Sequence, residues 1–190
     1  MIEQTTSFGL DKNTCRVEKD VICKNKCRTK GVMLAAYNCG IICAYRELYS
    51  SESLSQVSIF LLDIISFSKC IPKYLIYACH LDEYLKHNKV TEISERGKTL
   101  QASTFVIDRL HIKNHVRENC HLNYNADLYD EMLKINTVVC EEANFWIGGF
   151  KHAMKHMNQE RFNFFLYIML NIYNEQKLVL NKKNSINQYK

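Results

Sequence analysis

No apolar run in this 190-residue chain is long enough to span a bilayer. The longest are of the order of Phe164-Phe-Leu-Tyr-Ile-Met-Leu170, whereas a membrane helix needs about 20 apolar residues. The first residues, Met1 to Thr6, have neither the basic segment nor the apolar core of a secretory leader. An intracellular chain with no membrane partner is therefore expected. Proline is almost absent: the single one, Pro72, breaks the chain after Lys69-Cys70. A zinc-finger framework is also missing, because Cys23 and Cys27 form a C-x3-C pair with no second half at finger spacing. That pair reads either as half a zinc site or as free thiols in a poorly ordered arm with Cys15.

What is present is globular. Hydrophobic residues make up 47% of the chain and charged residues 24%, an ordinary composition for one domain with a sizeable core and not that of a disordered chain. Nine cysteines without a secretory leader point to reduced thiols, which cluster around metals more often than they form disulfides. The net charge of +5 is gathered at the ends. Residues 11–30 carry seven basic side chains against three acidic, and residues 177–190 carry Lys177, Lys182, Lys183 and Lys190 with no acid. Such ends are able to touch a polyanion such as DNA, or are simply solvated. No small-molecule substrate is evident, and the oligomeric state is open. The expected organisation is a basic, Cys-containing arm over residues 1–30, a domain over 31–175 and a basic Asn/Lys-rich tail over 176–190.

Within the domain, two short apolar runs, Gly31 to Ala36 and Ile41 to Tyr45, flank Tyr37-Asn-Cys-Gly40, a hairpin signal. Residues 51–67 repeat Leu54, Val57, Leu61, Ile64 and Ile65 at helical spacing, with Ser53 and Gln56 resembling a capping box. Lys73 to Tyr77 reads as a strand and Ala78 to Lys86 as a helix, with Glu83 an exposed helix residue. Residues 87–103 read as a loop or a poorly packed helix without chemistry. Thr104 to Ile107 reads as a buried strand, and Leu61, Ile65, Ile76, Val106, Ile135 and Leu166 are expected to share one core. Ala126 to about Phe150 reads as one long helix with Leu128, Met132, Ile135, Val139 and Trp146 inward, Glu141 and Glu142 near its middle, and Gly148-Gly149 at its end. His152 and His156 stand at i, i+4 but lack a close third ligand, so a solvated face is the better reading. Asn158 is placed as the cap of a last helix with Phe162, Phe165, Leu166, Met169, Leu170 and Tyr173 as its apolar stripe. The alternation of strands and helices predicts an α/β layer fold.

The chemistry concentrates after the strand at residues 104–107. Asp108 stands at the strand end and is followed by His111, His115 and Cys120, spaced H-x3-H-x4-C. Cys79 begins a helix after the neighbouring strand. Two thiols and two imidazoles suit Zn²⁺, and a site closed by four ligands is structural rather than catalytic. His80 and His121 adjoin the set as substitutes. The competing reading leaves the histidines in water and the cysteines as core filling.

This stretch, together with Asn136-Thr-Val-Val-Cys-Glu-Glu-Ala-Asn144 and Met157-Asn-Gln-Glu160-Arg-Phe162, resembles the Kyakuja-Dileera-Zisupton transposase-like proteins over about residues 30 to 175. Their pattern runs D-x-F-H-x-x-x-H, a cysteine, I-N-x-x-x-C-E-Q-x-N and M-x-x-E-x-F. The resemblance implies an RNase H-like fold: a mixed sheet flanked by helices, with a C-terminal helical pair, in which all four strands join one sheet. It implies phosphoryl transfer on DNA by carboxylates that hold two divalent metals, with Asp108 and Glu141 at the matching positions. The chain also departs from the pattern. Ile76-Tyr77 runs straight into Ala78-Cys79-His80-Leu81 where the family carries an aspartate, Glu142 replaces Gln, and residues 31–36 contain no carboxylate. Tyr37 and Cys39 stand where the family has Cys and His. Hard Mg²⁺ needs oxygen ligands, so the resemblance implies Mg²⁺ only if the chain is active.

Three functions follow as expectations: a transposase-derived domain of a mobile element that is catalytically inactive and able to bind DNA; an active metal-dependent DNA strand-transfer enzyme with its missing acid supplied from elsewhere; and a zinc-stabilised nucleic-acid-binding or protein-interaction module. A nuclear location is expected if the chain acts on DNA.

Overall fold

The computed structural model describes residues 31–48, 53–68, 72–77, 79–87 and 94–187. Cys15, Cys23, Cys27 and the arm expected over residues 1–30 lie outside the described residues. The strands are β1 (Gly31–Ala36), β2 (Ile42–Leu48), β3 (Tyr74–Ile76) and β4 (Thr104–Val106). The described α-helices are α1 (Leu54–Phe67), α2 (Cys79–His87), α3 (Glu95–Gln101), α4 (Glu118–Asn123), α5 (Val139–Gly148), α6 (Lys151–Met154) and α7 (Gln159–Asn187). The architecture is mixed α/β. No helix among the described residues is long and apolar enough to cross a membrane.

β1 and β2 form the expected antiparallel hairpin. Gly40 closes its turn with φ +83°, the left-handed region that glycine enters without steric penalty, and donates its N–H to the Tyr37 carbonyl at 2.8 Å. The register shifts between Ala35 and Ala36, which leaves Cys43 as the extra residue of a bulge. Both faces of this hairpin are covered. Met33, Ala35, Ala44 and Leu48 face a cluster containing Val57, Phe60, Leu81, Leu85 and Leu100; Val32, Leu34, Ala36 and Ile42 face a second cluster with Ala143, Ile147, Leu166 and Leu170. A strand buried on both sides needs an apolar run rather than an alternating pattern, as Val32 to Ala36 provides.

β3 and β4 pair in parallel, Tyr74 with Thr104 and Ile76 with Val106. Among the described residues they do not join the hairpin: the strands form two separate two-stranded sheets. The single four-stranded sheet expected from the resemblance is corrected accordingly. Val106 is fully buried, as expected of an interior strand. The one shared core is not observed. Leu61 and Ile65 pack on the first cluster, Leu166 belongs to the second, and Val106, Ile76 and Ile135 belong to a third with Ala126 and Met132. The doubly covered hairpin separates the first two clusters.

Two helix expectations hold at their caps. Ser53 Oγ accepts the Gln56 N–H at 3.3 Å to start α1, and Asn158 Oδ1 accepts the Arg161 N–H at 2.9 Å to start α7. The stripe Phe162, Leu166, Leu170 and Tyr173 is buried, and the helix continues without a break through residues 176–187. One open alternative is decided and one expectation is corrected. Residues 94–101, read as a loop or a poorly packed helix, are helical: Ser94 Oγ caps α3 by accepting the Gly97 N–H at 3.1 Å, and Leu100 is fully buried. Residues 126–150 are not one helix. They hold two 3₁₀ turns, Ala126–Leu128 and Asp130–Met132, before α5 starts at Val139. Arg109 fastens this irregular stretch. Its Nη1 and Nη2 donate to the carbonyls of Ile135 and Met132, both at 2.7 Å, and its backbone N–H donates to Thr137 Oγ1 at 3.1 Å. Asn136 Oδ1 then accepts the Val138 N–H at 3.0 Å, an Asx turn that ends the irregular stretch. Glu141 and Glu142 thus lie in the first turn of α5, not its middle, and Leu128 is exposed.

Candidate metal centre

β3 and β4 set the frame of the site. β3 ends at Ile76 and α2 begins at Cys79, so the thiol stands at the first residue of the helix. After β4, a 3₁₀ turn over Ile112–Asn114 reverses the chain, and His115 leaves it with extended backbone, ψ 128°. The short α4 carries Cys120 back beneath, secured by Ile107 donating its N–H to the Tyr124 carbonyl at 2.7 Å. Ligand atoms of Cys79, His115 and Cys120 consequently lie within 4.8 Å of one another, with both cysteines fully buried and His115 half-buried. Cys79 Sγ is 3.5 Å from His115 Nδ1. These three residues form a group able to hold a metal ion.

The surrounding charges suit that chemistry. Arg117 places Nη2 3.0 Å from Cys79 Sγ, and its guanidinium is held by Glu83, with Nη1 to Oε1 at 2.8 Å and Nη2 to Oε2 at 3.3 Å. Burial holds the His115 pKa below its ordinary value, reinforced by His80, Arg117 and His121. That favours the neutral imidazole, the form that ligates metals. His121 Nε2 bonds to the His115 carbonyl at 2.8 Å. Tyr124, whose hydroxyl donates to Asp82 at 2.7 Å, is held well above the usual phenol range by burial and then by that bond. Asp82 is also tied to Lys86 at 2.7 Å.

The four-residue set expected from the sequence is divided by the fold. Three members converge, whereas His111 faces Asp108, with Nδ1 2.7 Å from Oδ2. The reason is local. The 3₁₀ turn separates the two histidines, and Asp108 folds its carboxylate over the start of that turn, with Oδ1 accepting the Leu110 and His111 N–H groups, each at 2.9 Å. Glu141 Oε1 is 4.0 Å from His111 Nε2, so both resemblance-derived carboxylates stand at one imidazole. His152 and His156 are exposed. Cys140 lies on α5 with its thiol pKa raised by burial.

Two residues of the site were not anticipated. Glu83, expected as a plain exposed helix residue, braces Arg117, and Arg117 reaches Cys79. Glu83 lies four residues after Cys79, on the same helix face, and Arg117 three residues before Cys120; that spacing was the available signal.

Compared with protein families, curated proteins and solved structures, the chain matches none of them.

Proposed function

We propose that this chain is a zinc-stabilised binding module on a transposase-like scaffold, acting on DNA by contact and not by cutting it. The observation that carries the reading is the convergence of Cys79, His115 and Cys120. Two thiols and an imidazole prefer Zn²⁺ to Mg²⁺, which takes oxygen ligands in an octahedron. Bound there, the ion would join the β3–α2 junction to the β4–α4 return and so stabilise the parallel pair on which the domain depends. Zinc supplies the positive charge that lets two buried sulfurs stand together as thiolates.

The carboxylates support the non-cutting half. Asp108 already accepts two backbone N–H groups and the His111 ring, and the β3–α2 junction carries no acid. Two-metal strand cleavage needs several converging carboxylates. DNA contact would come from the basic N-terminal segment and from the exposed Lys182 and Lys183 on α7. Three measurements test the reading. Protein purified without chelator should carry one zinc; it should retain DNA in a manner that weakens steeply with salt; and it should leave plasmid DNA intact with Mg²⁺ or Mn²⁺. Absence of zinc, or metal-dependent nicking abolished by Glu141→Gln, would overturn the proposal.

A further inference from the structure

Three protein ligands leave a tetrahedral zinc site one short, and a structural site is normally closed by a fourth protein donor. The neighbouring donors are mostly committed. His111 is bound to Asp108, His121 Nε2 to the His115 carbonyl, Asp82 to Tyr124 and Lys86, and both oxygens of Glu83 to Arg117. His80 is different. It follows Cys79 in the first turn of α2, and its Nε2 is buried with no hydrogen-bond partner among the described residues. A buried donor or acceptor left unsatisfied is costly, so the atom is aimed at a partner the protein alone does not supply. The opposite ring nitrogen, Nδ1, stands 3.9 Å from Glu83 Oε2.

We propose that His80 supplies the fourth ligand through Nε2, closing a Cys79–His80–His115–Cys120 zinc site. This deepens the zinc reading above and rests on it. Glu83 then has a second task. A ligating histidine typically gives its other N–H to a carboxylate, which fixes the tautomer and raises the basicity of the ligating nitrogen. Glu83 faces His80 Nδ1 and at the same time holds Arg117 against Cys79 Sγ. Glu83 Oε2 already accepts from Arg117 Nη2 and stands 3.9 Å from His80 Nδ1, so the carboxylate would orient the imidazole only once the ring's swing toward the metal brings Nδ1 within hydrogen-bond distance. Closing the fourth position requires the His80 ring to swing toward the other three donors, whose atoms already lie within 4.8 Å of one another.

The test is metal titration of the full chain with Zn²⁺ and with Co²⁺ as a spectroscopic probe, joined to X-ray absorption of the zinc form. The unaltered protein should show two sulfur and two nitrogen neighbours. His80→Gln should lose one nitrogen neighbour, weaken zinc binding by at least about 100-fold, since losing a residue that merely orients a ligand already costs about 10–100-fold, and alter the Co²⁺ visible bands. His80→Cys should restore tight binding with a third sulfur neighbour and stronger sulfur-to-cobalt charge transfer, which separates a ligand role from a folding defect. His152→Gln, an exposed histidine on α6, should leave the spectrum as it was. Unchanged affinity and spectrum in His80→Gln would overturn this assignment while leaving the three-residue zinc reading intact. An unaltered protein that binds neither ion would overturn both.

Discussion

Asn174 on α7 holds both backbone polar groups of Ile42 on β2: its Oδ1 accepts the Ile42 N–H at 2.8 Å and its Nδ2 donates to the Ile42 carbonyl at 2.9 Å. The bulge next to Ile42 disrupts the ladder there, and the side-chain amide takes its place, fastening the hairpin to the last helix across 132 positions. Asn174→Leu removes both bonds and strands two groups in a buried setting. A loss of about 1–3 kcal/mol in unfolding free energy is expected by denaturant titration, with little change in its slope.

Metal content should follow the fold and not the H-x3-H-x4-C spacing. Cys120→Ser and His115→Ala are expected to lose zinc and to melt at lower temperature. His111→Ala should keep its zinc, because that ring is bound to Asp108. With free zinc at ~1,000 times its Kd, the ion contributes about 4 kcal/mol to stability, so the two classes should separate clearly in thermal melts. Equal zinc loss in His111→Ala and His115→Ala would contradict this division.

Acid should weaken the seam between α5 and α7. Lys177 Nζ donates to Glu142 Oε2 at 2.8 Å and holds that carboxyl below its ordinary value of 4.5, with Asn136 adding a second bond. A depressed folded-state pKa means the unfolded chain takes up protons first. The contribution is therefore present above about 4.5 and is lost as pH falls through the folded-state value. The pair is partly exposed, so the effect should stay below about 1 kcal/mol. Lys177→Met should flatten this part of the stability-against-pH curve.

Gly40→Ala should destabilise the hairpin. The position has φ +83°, and an added Cβ would lie 3.3 Å from Lys177 Cδ. An L-residue in this backbone region costs about 1–2 kcal/mol. The flexible lysine chain can move aside, so the backbone term should dominate. A melt indistinguishable from that of the parent chain would show the turn to be more adaptable than its geometry indicates.

Local elements were legible wherever short-range chemistry sets them. The Tyr37 to Gly40 turn, the Ser53 and Asn158 caps and the stripe from Phe162 to Tyr173 all came from residues close in sequence acting on one another. The helix expected over 126–150 gave way to tight turns fastened from a distance: Arg109 donates to the carbonyls of Met132 and Ile135, and the Met132 carbonyl also accepts the Ile135 N–H of a tight turn. Periodicity of Met132, Ile135 and Val139 reports which side chains face inward, but a helical stripe and a run of tight turns can bury the same residues. The polar sequence of residues 94–101 leaves a loop and a poorly packed helix both open, and the Ser94 cap with the buried Leu100 decides for the helix.

The same division runs through the site. Composition and spacing alone determined that two histidines and a cysteine follow the strand at residues 104–107, that a cysteine follows the strand at residues 73–77, and that the β3–α2 junction has no carboxylate. These are properties of which residues are there. Tertiary structure alone decided the membership. Whether His111 or His115 meets Cys79 depends on the direction in which a three-residue turn releases the chain, and Asp108 holds His111 on the near side of that turn through its ring and its backbone N–H. Whether Arg117 and Glu83 matter depends on the residue before α4 reaching the side of α2. Ligand geometry is a matter of ångströms between residues some 40 positions apart, and no local pattern carries that information; only the packing of β3 against β4 does.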